Sequence, residues 1–142
     1  MAPAERRAGV VWRGDLQKGS GTFDLASSGA VQDMPVTWAS RTERPDGKTS
    51  SEEHVAAAHA SCYAMAFSNV LAEMGNEPEE RNISAVCTFD ADQVKVTTMV
   101  LDVRGRVPGL GFQKAAERGE QSCPVSNALR GNVDIQISAS LA

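Results

Sequence analysis

The chain has 142 residues, of which 42% are hydrophobic and 23% are charged, and its formal net charge is −4. This composition is ordinary for a soluble globular protein, and the length predicts a single domain over residues 1–142. The acidic balance disfavours nucleic-acid binding, which needs a basic face. No apolar run reaches the roughly 18 residues of a membrane span, and no apolar core of the length found in signal peptides follows Arg6-Arg7. We therefore expect a cytoplasmic protein with no membrane association.

The first third of the chain is typical of strands and turns. Strands are predicted at Gly9–Trp12, Thr22–Leu25 and Val36–Trp38. The polar segment that follows contains Pro45-Asp46-Gly47, whose residue types favour a turn. Residues 41–48 are therefore predicted to form a loop.

A long helix is predicted next, ending near Met74. Ser50 or Ser51 can act as the N-cap, and the glutamates that follow favour the positive end of the helix dipole. Gly75 is a typical C-terminal signal. Because the helix is rich in alanine and apolar nearly all round, it is predicted to be buried, covered by a sheet or by a second subunit.

The second half of the chain is predicted to contain a hairpin, two short helices and a final strand. The predicted elements are the strands 83–89 and 94–104, the helices 112–119 and 123–129, and the strand 132–139. The resulting order predicts an α+β protein with antiparallel strands and a long central helix.

The chain has three cysteines, and their surroundings differ. Cys87 alternates with apolar residues on a predicted strand, which favours a structural, buried thiol. Cys62 lies in the middle of the alanine-rich helix. Cys123 directly precedes Pro124, a residue favoured in the first turn of a helix, so its thiol is predicted at a helix N-terminus that would lower its pKa. If Cys62 and Cys123 meet in space, they form a redox pair.

Two other interpretations of Cys62 involve His59, which lies one helical turn before it. The pair could contribute to a zinc site together with Cys123 and a carboxylate, although the chain has no CxxC motif. A histidine beside a cysteine is also typical of a hydrolase nucleophile and its base. We favour a third interpretation, in which His59 is a buried polar residue outside the catalytic set.

Two separate blocks of the sequence carry a family resemblance. The first is Glu52-Glu53-x5-His59-Ala60-x-Cys62, and the second is Cys123-Pro124-Val125-Ser126-x-Ala128-Leu129. Together they closely resemble the OsmC/Ohr family of hydroperoxide peroxidases, and more the OsmC branch. The Pro108-Gly109 segment looks like the family's approach to the second cysteine. Ser51 stands where many members have proline, and both residues suit a helix start.

The resemblance implies an OsmC-like fold, an intertwined homodimer and a site without metal or cofactor. Cys62 would be the peroxidatic cysteine and Cys123 the resolving cysteine, with Glu52 as the active-site glutamate. Arg41 is the best match for the family's arginine, and Arg44 is the alternative. The substrate would be an organic hydroperoxide, with hydrogen peroxide as a second substrate. An external dithiol or lipoyl group would reduce the disulfide, in defence against oxidative and osmotic stress.

The spacing of Glu52 and Cys62 leads to a further expectation. Ten residues of straight helix separate them by about 15 Å along the axis, and the two side chains point in different directions. We therefore expect Glu52 to serve Cys62 of the partner subunit, with two alanine-rich helices packed antiparallel. The alternatives to a peroxidase are a non-catalytic redox sensor and a metal-binding thiol protein.

Overall fold

A computed structural model describes residues 2–76, 80–105 and 111–141 of the chain. The chain divides into two compact units, residues 1–51 and residues 52–142. The Pro108-Gly109 segment lies outside the described residues.

The first unit is built on a three-stranded antiparallel sheet. The strands are β1 (Gly9–Arg13), β2 (Ser20–Asp24) and β3 (Met34–Val36), in the order β1-β2-β3. All five residues of β1 are exposed, including the apolar Val10 at 64% and Val11 at 51%. One strand of this unit therefore presents an uncovered apolar surface.

A short helix, α1 (Trp38–Thr42), follows β3. The prediction of a strand through Trp38 and of a loop from residue 41 was therefore wrong. A capping box starts the helix, because the Thr37 side chain accepts from the Ser40 N–H at 3.1 Å and the Thr37 N–H donates to Ser40 Oγ at 3.0 Å. This reciprocal pair of hydroxyl side chains satisfies backbone and side-chain donors at the helix start, which the predicted strand did not include.

The second unit packs helices against a mixed sheet. Its strands are β4 (Arg81–Asp90), β5 (Lys95–Gly105) and β6 (Asp134–Leu141), and its helices are α2 (Ser51–Glu73), α3 (Phe112–Gln121) and α4 (Pro124–Leu129). The predicted β4–β5 hairpin is confirmed. The predicted antiparallel pairing holds for β4 and β5, whereas β6 pairs parallel to β5 after the chain has crossed through α3 and α4, so this sheet is mixed.

The core of the second unit lies between α2 and the inner face of the sheet. Phe67 stacks on Tyr63 with ring centroids 5.7 Å apart, and Phe112 meets Phe67 edge-on, also at 5.7 Å. The core residues share nearly complete burial: Tyr63, Phe67, Val70, Leu71, Leu101, Val103, Phe112, Ala115, Ala116 and Cys123. The predicted resolving cysteine is thus part of the core.

Helix α2 ends as predicted, at a glycine. Gly75 has a φ of 81°, and its N–H donates to the Ala72 carbonyl at 3.0 Å. The Asn76 N–H reaches back to the Leu71 carbonyl at 2.9 Å. These two bonds form a Schellman motif, which glycine permits because the left-handed conformation costs it little.

In the single chain, α2 is buried on one side only, so coverage of its other side by a second subunit stays a prediction. His59, Tyr63 and Phe67 are buried on one side of the helix, whereas Met65 is 72% exposed. The other exposed residues on α2 include Ala57, Ala58, Ser61, Asn69 and Ala72. We call Ala57, Ala58, Ser61 and Met65 the outer face of α2.

By length and composition, α2 is the one helix in the described part of the chain that could cross a membrane, with a mean hydropathy of 1.2. The same properties are typical of the core helix of a globular protein. The buried aromatic residues of α2 belong to the core of the second unit.

Candidate active site

The two cysteines predicted as a redox pair lie together in the second unit. Cys62 is half-buried near the middle of α2, and Cys123 is fully buried at the start of α4. The Cys123 thiol lies close enough to Cys62 to raise the pKa of the Cys62 thiol, and both cysteines are in the free, reduced state. About sixty residues separate them in the sequence, and the packing of α4 on α2 brings them together in space.

The start of α4 also directs a backbone N–H group toward the Cys62 sulfur. Cys123 is the N-cap residue, as predicted, and its side chain makes no capping hydrogen bond. Pro124 follows in the first helical position, where its missing N–H costs nothing. The next free backbone donor, the N–H of Val125, points to the Cys62 sulfur. The Cys-Pro-Val order therefore places one thiol and one N–H donor beside the other thiol.

These surroundings leave the Cys62 thiol mainly protonated. Burial raises the pKa of Cys62, the Val125 N–H opposes this rise, and the Cys123 thiol adds to it. A thiolate is the nucleophilic form of cysteine, so the thiol pair needs a further stabilising charge to react quickly.

A second buried contact joins the same two helices. His59 Nε2 lies 2.6 Å from Ser126 Oγ, and both residues are fully buried. His59 Nδ1 has no hydrogen-bond partner among the described residues. Burial lowers the pKa of His59, and the charge of Glu120 partly opposes this change. His59 therefore favours the neutral imidazole.

The remaining predicted site residues are positioned as follows. Arg41 is half-buried in α1 of the first unit, with its guanidinium carbon 5.6 Å from the centroid of the Trp38 ring. Arg44 is exposed. Glu52 is 7% exposed in the first turn of α2. The charge of Glu52 raises the pKa of the Cys87 thiol.

Cys87, the predicted structural cysteine, is half-buried on the inward-facing side of β4. Burial raises its pKa, and the charge of Glu52 raises it further. Within the described residues, no group of three or more His, Cys, Asp or Glu side chains has the arrangement of a metal site.

Comparison with known proteins decides the family. The model of the OsmC family, described as "OsmC-like protein", matches residues 44–138. The chain belongs to the OsmC family. It is 31% identical over 129 residues to Peroxiredoxin OsmC of Escherichia coli K12, covering 87% of this chain and 89% of that protein.

Solved structures of this family share the fold. The organic hydroperoxide resistance protein OsmC of Legionella pneumophila aligns with a TM-score of 0.73 at 22% identity, over 99% of both chains. OhrB of Bacillus subtilis aligns with a TM-score of 0.68 at 25% identity, over 94% of this chain and 98% of that one. The α+β architecture of this OsmC-family chain is therefore that of OsmC and Ohr proteins.

Proposed function

We propose that the protein is a cysteine-based peroxidase that reduces organic hydroperoxides, with Cys62 as the peroxidatic and Cys123 as the resolving residue. The observation that carries the proposal is that two reduced thiols lie close together at the start of α4, near enough for one to change the pKa of the other. The relationship to Peroxiredoxin OsmC and to the organic hydroperoxide resistance proteins supports the substrate class.

The reaction needs no metal or cofactor. The Cys62 thiolate attacks one peroxide oxygen, the O–O bond breaks, and the alkoxide that leaves takes up a proton and departs as an alcohol. Cys62 is then a sulfenic acid. Cys123 displaces its hydroxyl group, which leaves as water, and a Cys62–Cys123 disulfide forms. An external dithiol or lipoyl group restores both thiols by exchange and is itself oxidised to a disulfide.

Arg41 is proposed to supply the missing positive charge. An arginine stays protonated at every physiological pH and can stabilise both the thiolate and the departing alkoxide. Comparing Arg41→Met with Arg44→Met tests the assignment. The variant that removes the activating arginine should shift the pH profile of Cys62 alkylation to higher pH, because the pKa of the thiol rises when the cation is lost. If neither variant shifts it, neither Arg41 nor Arg44 is the activating group.

We infer that the active protein is a homodimer in which Glu52 serves Cys62 of the partner subunit. The outer face of α2 is made of small side chains and Met65, and it is uncovered in the single chain. Exposed apolar surfaces of this kind are typical of protein interfaces, and a twofold axis would pack two such helices closely. The exposed apolar residues of β1 are a second surface of this kind.

Mixing two inactive variants tests this arrangement. Cys62→Ser and Glu52→Gln homodimers each lack a complete site, but a mixed dimer would retain one complete site if the residues come from different subunits. A re-equilibrated equal mixture should therefore recover about a quarter of the wild-type activity, by the statistics of a symmetric dimer. If both residues act within one subunit, no activity returns.

The central experiment follows the loss of tert-butyl or cumene hydroperoxide in the presence of a dithiol. Cys62→Ser should lower turnover by at least about 1,000-fold, because the nucleophile is lost. Cys123→Ser should still form a Cys62 sulfenic acid that dimedone traps, without an intramolecular disulfide. Cys87→Ser is the matched control and should keep turnover.

Two outcomes would contradict the peroxidase. Full peroxide consumption by Cys62→Ser would remove Cys62 from the reaction. Oxidation of one equivalent without turnover, with every dithiol tested, would identify a redox sensor instead.

A further inference from the structure

Two pairs of polar side chains lie in matching register between α2 and the segment formed by α4 and its N-cap, Cys123. His59 and Cys62 lie three residues apart on α2, and Cys123 and Ser126 lie three residues apart on α4. His59 meets Ser126, and Cys62 meets Cys123. The two contacts therefore lie one helical turn apart and join the same two segments.

We propose that the His59–Ser126 hydrogen bond is a positioning device that holds Cys123 in register with Cys62 for disulfide formation. This inference rests on the proposed function, which uses the same pair of thiols. Neither His59 nor Ser126 touches the peroxide in this scheme, and both act through the placement of α4.

The energetics of burial support this role. Both residues are fully buried, and the 2.6 Å contact is short for a neutral hydrogen bond. Because His59 Nδ1 has no partner among the described residues, the bond to Ser126 is the polar link that the ring makes there. Sliding or tilting α4 would leave a hydroxyl and an imidazole nitrogen buried without partners, which is strongly unfavourable.

Helix α4 is too short to hold its own position. It has only six residues, far below the length at which an isolated helix is stable. At its other end, Arg130 bonds to Asn127 of the same helix and to Glu120 of α3. The His59–Ser126 bond is on the Cys123 side of that anchor and ties the helix to α2. Its loss should therefore affect the thiol pair first.

The test separates the two chemical steps. Ser126→Ala should leave the rate of Cys62 sulfenic acid formation within about twofold of wild type, yet slow disulfide formation about 5- to 10-fold, as expected for one lost buried hydrogen bond. Stopped-flow oxidation followed by intact mass would show more Cys62 oxidised beyond the sulfenic acid. Ser126→Thr keeps the hydroxyl and should restore the resolving step.

Two histidine variants sharpen the assignment. In His59→Gln the amide takes the place of Nε2 and should preserve the resolving step, whereas His59→Asn places its amide near Nδ1 and should slow it. Tyr63→Phe is the matched control, because it removes an equally buried bond from α2, the 2.8 Å bond of its hydroxyl to the Ala116 carbonyl on α3. This control should lower stability without slowing the resolving step.

A peroxide-independent measurement keeps this proposal separate from the proposed function. In a glutathione redox buffer, the equilibrium constant of the Cys62–Cys123 disulfide reports how well the thiols are placed. Ser126→Ala and His59→Asn should lower it about 5- to 10-fold, whereas Tyr63→Phe should not. If the wild type consumes no peroxide but this pattern holds, the positioning role stands and the peroxidase fails. If all variants change both steps in proportion to lost stability, the positioning role is overturned.

Discussion

The two sides of helix α2 have nearly the same amino-acid polarity but different surroundings. One side carries His59, Tyr63 and Phe67, which are fully buried, together with Cys62 beside α4. The other side carries alanine, serine and Met65, which is 72% exposed. Large and hydrogen-bonding side chains occupy the covered side, whereas the open side has small side chains and one methionine.

This difference shows that one helix can serve two purposes. The covered side needs volume to fill the space under the sheet and needs polar atoms to fix α3 and α4. The open side needs small residues if a second helix is to approach it closely. Four changes test this division, and they are ordered by the size of the expected effect.

Truncation on the covered side should have the largest effect. Phe67→Ala removes a ring that stacks on Tyr63 and meets Phe112, and it should lower the free energy of unfolding by about 3–5 kcal/mol. Chemical denaturation measures this loss, which should not depend on protein concentration. Met65→Ala is the control on the open side, and its effect should appear only through the concentration dependence of unfolding. If Phe67→Ala and Met65→Ala lowered the free energy of unfolding equally at every protein concentration, the proposed difference between the two sides of α2 would be contradicted.

A charge on the open side should weaken the proposed dimer. Met65→Asp would place two carboxylates near the twofold axis and should raise the dissociation constant about 30- to 100-fold, or about 2–3 kcal/mol. Analytical ultracentrifugation measures the constant. Gln113→Asp, on the exposed side of α3, is the matched control and should leave the dimer intact. A Met65→Asp dimer as tight as wild type would place the interface elsewhere.

The covered side should also resist enlargement. A Cβ atom at Gly119 would lie 3.2 Å from the Phe67 Cα and 3.3 Å from its Cβ, so α3 approaches α2 closely there. Gly119→Val should therefore lower stability by about 1–3 kcal/mol through overpacking. Thermal unfolding at fixed concentration checks this. Unchanged stability would show that α3 can move away from α2 without loss.

The smallest expected effect is a pH dependence from His59. Burial lowers the pKa of His59 in the folded state, so the unfolded chain binds the proton more readily. Stability should therefore rise with pH between the lowered pKa and the ordinary value of about 6.5, by at most about 1.4 kcal/mol per pH unit, and level off above it. Denaturation of wild type and His59→Gln across this range measures the difference. A slope that survives in His59→Gln would assign the proton to another group.

The sequence predicted the elements of the second unit well because their signals are local. Alanine-rich composition, a glycine stop and apolar alternation do not depend on distant residues, and the bounds of α2 and β4 follow from them. The differences from the predictions concern segments whose structure depends on a hydrogen-bonded side-chain pair or on the path of the chain. The reciprocal bonds of Thr37 and Ser40 end the predicted strand at Val36 and start α1 at Trp38. The crossover through α3 and α4 makes β6 parallel to β5.

The sequence by itself determined the candidate cysteines, because Cys123 before Pro124 and the two motif blocks can be recognised without a fold. Only the tertiary structure decided what lies beside each thiol. Cys62 meets Cys123 and the Val125 N–H, and His59 meets Ser126, because α4 packs antiparallel on one side of α2. These contacts join residues that are more than sixty positions apart. Local residue preferences cannot specify such pairs, since their energy exists only when the two helices are packed together.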